Sequence, residues 1–131
     1  MKTDKKIKSL KSNWKFDKIV AENFDSHVTK SVPFYKISHD ISCRLSDFFL
    51  REKSNCYDIG CSTGNLLKKI STRSNKKIKY YGIDSSKDMI KVAKKNHPKL
   101  NFINKDLNRI KLKKSDLVLS LYTMQFIEPR Y

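Results

Sequence analysis

The sequence predicts an α/β domain built on a parallel sheet, with helices ahead of it. Two observations predict this. From residue 56 onward, short apolar runs alternate with segments of helical periodicity, the pattern of strands joined by right-handed crossover helices. Two of the three glycines in the chain, Gly60 and Gly64, fall together directly after the first of those runs, where a strand turns into a helix.

The elements follow in order. Residues 1–15 are Lys-rich with few apolar positions and read as a basic, flexible arm, with Trp14 and Phe16 as its first anchors. The rest, 16–131, reads as one domain. Phe16, Ile19, Val20 and Phe24 fall near helical spacing and predict a short helix. Pro33 interrupts it, because the residue before a proline is driven out of the helical region. Ile37, Ile41, Leu45, Phe48 and Phe49 then share one face of a helix running to about Arg51, and that stripe reads as core.

Cys56-Tyr57-Asp58-Ile59 reads as a buried strand, the 60–64 loop follows, and Leu66, Leu67 and Ile70 mark a short helix. Residues 78–83 form a second strand. Ser85 and Asp88 look like an N-cap and its N3 partner for a helix carrying Met89, Ile90, Val92 and Ala93, which stops before Pro98. Residues 101–103 and 116–121 complete four strands.

Composition narrows the class. At 131 residues there is room for one small domain. No apolar run is long enough to span a bilayer, and the charged start has no apolar core of a secretory signal, so the expected setting is cytoplasmic and not membrane-bound. Cys43, Cys56 and Cys61 form no metal-ligand spacing, so no metal is expected, and Cys61 reads as a small loop residue rather than a nucleophile. The net charge is +16, with Lys outnumbering Arg 24 to 5. Such a balance can mark a polyanion-binding surface. An AT-rich genome writes the same bias, so the charge names no partner. His27, His39 and His97 are scattered and carry no assigned role.

The chemistry concentrates in Asp58-x-Gly60-x-x-x-Gly64 followed by Asp84. The loop and the helix start after it offer backbone N–H donors. Asp84, at the tip of the neighbouring strand, can accept hydrogen bonds from both hydroxyls of a ribose. Asp106, after the third strand, can sit near an adenine edge. Ser62 stands where a dinucleotide-binding loop would carry its middle glycine, which speaks against a pyrophosphate.

Asp58-Ile59-Gly60-Cys61-Ser62-Thr63-Gly64 and Gly82-Ile83-Asp84-Ser85-Ser86 resemble the first two motifs of class I S-adenosylmethionine (SAM)-dependent methyltransferases. Phe16-Asp17-Lys18-Ile19-Val20-Ala21, Ser31-Val32-Pro33-x-Tyr35, Met89-Ile90 and Thr123-Met124-Gln125-Phe126-Ile127-Glu128-Pro129 narrow this to a resemblance to carboxy-S-adenosyl-L-methionine synthases. The resemblance implies a Rossmann-like fold with strand order 3-2-1-4, truncated after the fourth parallel strand. It implies conversion of SAM and prephenate to carboxy-SAM and phenylpyruvate, with the product serving tRNA wobble-uridine modification and any tRNA contact indirect or weak. It places Tyr35 near the reactive end of SAM, Gly60, Cys61 and Ser62 along its methionine part, Asp84 and Ser85 on the ribose, and Asp106 and Leu107 on the adenine. Leu121 stands where the family has an Asn. The Arg that grips the transferred carboxylate has no counterpart here, and no catalytic residue is assigned.

Two alternatives stand beside this reading: ordinary methyl transfer to tRNA or a small molecule, and a non-catalytic, truncated nucleoside-binding protein. An open fourth strand, Leu117-Val118-Leu119-Ser120-Leu121, predicts marginal stability or pairing with another chain, as in a homodimer.

Overall fold

A computed structural model describes residues 16–127. The predicted basic arm, Trp14, and Glu128 and Pro129 of the closing motif lie outside these residues.

The chain opens with helix α1 (Lys18–Ser31), capped by Asp17, whose Oδ1 accepts from the Val20 amide at 3.0 Å. It is longer than its apolar spacing predicts. After a break at Val32 and Pro33, helix α2 (Tyr35–Phe49) begins from Phe34, which holds a left-handed conformation at φ 59°. Strand β1 (Asn55–Ile59) leads through the glycine loop into α3 (Asn65–Ser71). Strand β2 (Lys79–Asp84), helix α4 (Lys87–Asn96) and strand β3 (Asn101–Asn104) form the next crossover. A 3-10 turn at Leu107–Arg109 precedes β4 (Leu117–Leu119), which is shorter than predicted, and a second such turn spans Met124–Phe126.

The four strands are all parallel and lie in the order β3-β2-β1-β4, as expected. β1 sits at the centre, with Asp58 opposite Gly82 on one side and Leu119 on the other. Burial of both faces explains why Cys56, Tyr57, Asp58 and Ile59 are all buried in succession. On the helix side, Cys56, Leu67, Ile70, Ile90 and Phe102 form the main core. On the other side, Tyr57, Ile59 and Ile83 pack with Tyr81, Ile103 and Ile110, and the Tyr57 and Tyr81 rings stack 4.9 Å apart. Among the described residues no helix is long and apolar enough to cross a membrane.

Two expectations are corrected. The cap of α4 is Ser86, not Ser85: Ser86 Oγ accepts from the Met89 amide at 3.2 Å, while Asp84 Oδ1 accepts from the Ser86 amide at 2.8 Å and fixes it in the extended conformation a cap needs. The apolar stripe of α2 is not core. Ile37, Ile41, Leu45 and Phe49 are each more than half exposed and Phe48 is 77% exposed. The buried side carries His39, Cys43 and Ser46. Small side chains there let α2 lie close to α3, and the pairs Asp40–Lys69 and Asp47–Arg73 fasten α2 to α3 and to the turn just after it.

Candidate functional site

A cavity of about 690 Å³ opens at the carboxyl ends of the strands, where parallel sheets bind ligands. Its floor is the turn leaving β1. Gly60, Ser62 and Gly64 all have positive φ (74°, 49° and 82°), so the backbone coils back on itself immediately after the strand. The Gly60 and Cys61 amides both donate to the Ile83 carbonyl, at 2.8 and 3.0 Å, clamping the turn to β2. A Cβ on Gly60 would lie 2.2 Å from Thr123 Oγ1, and Thr123 in turn donates to the Ile59 carbonyl at 3.1 Å. Only glycine fits between the turn and the segment after β4.

Asp84 organises the side of the cavity over β2. Its Oδ2 accepts from the Ser62 amide at 2.9 Å and its Oδ1 from the Ser86 amide at 2.8 Å. Each oxygen keeps a lone-pair direction for one further donor, the geometry two adjacent hydroxyls require. Burial raises the Asp84 pKa, and the two amides offset only part of that rise. Asn104 Nδ2 donates to the Asp84 and Ser85 carbonyls at 3.0 and 2.9 Å, holding the strand tip in place.

Asp58 lies deeper, 3% exposed, and no side chain or amide among the described residues hydrogen-bonds its carboxylate. Burial, with the Asp84 charge adding to it, pushes its pKa up to about 7. Burial likewise pushes the Cys61 thiol up, with both aspartates adding to the effect, so this thiol stays protonated and unreactive.

Nine of the eleven predicted ligand residues line the cavity: Tyr35, Asp58, Gly60, Cys61, Ser62, Asp84, Ser85, Asp106 and Leu121. Gly64 shapes the loop from behind, where a Cβ would lie 2.6 Å from the Phe102 ring. Leu107 opens the 3-10 turn after Asp106, whose Oδ1 accepts from the Asn108 amide at 2.9 Å.

Several cavity features escaped sequence reasoning. Thr63 Oγ1 donates to Asp25 Oδ1 at 2.6 Å, tying α1 to the glycine loop. His39, assigned no role from sequence, is buried on the cavity wall, its ring 4.3 Å from that of Tyr35. Tyr122 packs 5.7 Å from Tyr35 and its hydroxyl donates to Ser38 Oγ at 3.0 Å, closing α2 against the segment after β4. The available signal was spacing: Tyr35, His39 and Cys43 recur every four residues and so share one face.

The methyltransferase domain family matches residues 57–131. The carboxy-S-adenosyl-L-methionine synthase of Staphylococcus epidermidis is 41% identical over 109 residues, covering 82% of this chain and 48% of that protein. The Campylobacter hominis enzyme of the same name is 34% identical over 124 residues, covering 92% and 53%. The chain thus spans about half the length of the curated relatives it matches. Among solved structures, a putative SAM-dependent methyltransferase from Methanococcus maripaludis superposes with a TM-score of 0.68 at 25% identity, over 92% of this chain and 57% of that one. A parallel sheet in this order, a glycine turn and a carboxylate at the tip of β2 are thus joined by the match itself: the chain belongs to the methyltransferase domain family and has the Rossmann-like fold of class I SAM-dependent methyltransferases.

Proposed function

We propose that the chain is the SAM-binding part of a carboxy-SAM synthase, which converts SAM and prephenate to carboxy-SAM and phenylpyruvate for tRNA wobble-uridine modification. The observation that carries SAM binding is Asp84, whose two oxygens are each anchored by one amide and each keep one acceptor direction open. The ribose hydroxyls donate to Asp84, the adenine lies toward Asp106, and the methionyl part runs along the 60–64 turn toward Asp58 and Tyr35. An ammonium group beside Asp58 stabilises the ionised carboxylate that burial disfavours. Similarity to the Staphylococcus and Campylobacter synthases supports the specific reaction.

In that reaction the sulfonium acidifies its methyl group. The methyl carbon loses a proton and bonds to the carbon dioxide that prephenate releases, and the proton leaves with the hydroxide prephenate expels, as water. The residues here bind and orient SAM and limit water around its sulfur.

Calorimetric titration with SAM tests the binding. Asp84→Ala should weaken it roughly 30-fold or more, the loss of two charge-assisted hydrogen bonds. Unchanged affinity overturns the ribose assignment. Mass spectrometry after incubation with SAM and prephenate tests the reaction. Carboxy-SAM is the expected product, and SAM binding without product points to the non-catalytic reading.

A further inference from the structure

The cavity has two ends. One lies over β2 and β3, at Asp84, Lys105 and Asp106. The other lies over β1 and β4, where Tyr35 and His39 of α2 meet Tyr122. Two strand spacings, about 10 Å, separate β2 from β4. A nucleoside whose ribose is held at Asp84 therefore extends its sulfur-bearing tail toward α2.

His39 is the group at that end that the fold leaves unexplained. Its side chain is 8% exposed and lines the cavity, and neither ring nitrogen has a hydrogen-bond partner among the described residues. The chain could have placed an apolar residue against Tyr35. Among the described residues only the Tyr80 hydroxyl is a fully buried side-chain polar atom without a partner, so the His39 ring nitrogens are open to the cavity, where a ligand can reach them.

We propose that His39 borders the sulfonium of bound SAM and presents an uncharged imidazole there, so that its protonation state sets how strongly the site prefers SAM to S-adenosylhomocysteine, whose sulfur carries no charge. The inference rests on the SAM-binding reading. Burial, and the Lys69 ammonium of α3, hold the His39 pKa below its ordinary value, while Asp40 on the same helix and Asp25 of α1 pull the other way. The ring is therefore neutral at neutral pH, its lone pair available to the polarised methyl and sulfur. Tyr35, Tyr122 and His27 also face this end, and His27 shares a hydrogen bond with Ser31 Oγ at 3.4 Å. A protonated His39 about 6 Å from a sulfonium would weaken SAM binding up to about 100-fold at an effective dielectric near 20.

Calorimetric titration of the full chain with SAM and with S-adenosylhomocysteine, from pH 8 to pH 5, tests this. The ligands differ by the methyl group and the sulfur charge, so the ratio of their dissociation constants isolates the surroundings of the sulfur. The ratio Kd(SAM)/Kd(S-adenosylhomocysteine) should rise on acidification in the wild type as the ring takes up its proton, by up to about 100-fold at full protonation. It should stay nearly flat in His39→Gln, which keeps Asp58 and Asp84 and so measures their share. A flat wild-type ratio, or the same rise in both proteins, overturns the proposal. If the variant does not fold, an NMR titration of the His39 ring in the wild type decides: its pKa should be lower with SAM bound than with S-adenosylhomocysteine bound, and equal values overturn the proposal. Failure of the wild type to bind either ligand overturns the SAM reading itself and this inference with it.

Discussion

Helices α4 and α2 look alike in sequence and are used in opposite ways. Both carry apolar residues at helical spacing. α4 buries Met89, Ile90 and Ala93, packing on β2, β3 and α1. α2 turns Ile37, Ile41, Leu45 and Phe48 outward and buries His39, Cys43 and Ser46. The cause is position in the topology. α4 is the crossover between two adjacent strands, so it must lie flat on the sheet and cover it. α2 precedes the first strand and reaches the core largely beside α3, where small side chains permit close approach. The contrast extends to the strands, since Val118 of β4 and Met124 and Phe126 beyond it are exposed while β1 is buried on both faces. Apolar periodicity thus shows that a helix has a face. It does not show what that face meets.

The sharpest test of the covered half is Leu67→Ala. Leu67 has no exposed surface and packs in the main core under β1. Its truncation should cost about 3 kcal/mol, the transfer term plus the cavity left behind. Urea denaturation followed by circular dichroism measures it as a lower midpoint at unchanged slope. A loss below about 1 kcal/mol would mean that the core under β1 is as loosely held as the outer face of α2.

What could be read from sequence follows the same division. The glycine turn and Asp84 were legible because their constraints are local: a chain with three glycines puts two where positive φ is needed, and a carboxylate ending a strand beside that turn has one place to go. The strand order followed from the family resemblance and from short crossovers. The orientation of α2 was not legible, because it depends on which of two faces α3 accepts, and contact with α3 selects the smaller, more polar one. His39 was missed for that reason, as it lies on the side that hydropathy assigns to solvent. The cap of α4 was misplaced by one residue because Ser85 and Ser86 are equivalent locally and only the Asp84 contact separates them.

Asp58 lies where the two halves meet, on β1, and its effect depends on pH. Its folded pKa, about 7, is above the usual carboxylate value of 3.8. A raised folded pKa means its contribution to stability is fully present below about pH 4 and is lost as pH rises through 7. Three units correspond to about 4 kcal/mol, and burying an amide without a partner returns roughly half of that. Asp58→Asn should therefore stabilise the unliganded chain by about 2 kcal/mol at pH 8.5 and destabilise it by about 1 kcal/mol at pH 4.5. Thermal unfolding at the two pH values measures the difference, and an equal effect at both would remove Asp58 burial as its cause. The same variant should bind SAM less well, because it gives up a charge that the ligand's ammonium can use.

The smallest stability effect is expected where the sequence had placed the core. Leu45→Ser and Phe48→Ser remove apolar surface that already faces water, so each should change unfolding free energy by no more than about 0.5 kcal/mol. Their effect should appear in association instead. Contiguous exposed apolar residues mark surfaces that seek a partner, and the α2 stripe presents Ile37, Ile41, Leu45 and Phe48 along one line. Sedimentation velocity of the double variant should show less self-association than the wild type at equal concentration, while urea midpoints stay within error. A loss of several kcal/mol on these exposed positions would mean that α2 rotates its apolar face inward in solution. It would also withdraw His39 from the cavity, so this substitution links the orientation of a helix to the chemistry assigned to its buried side.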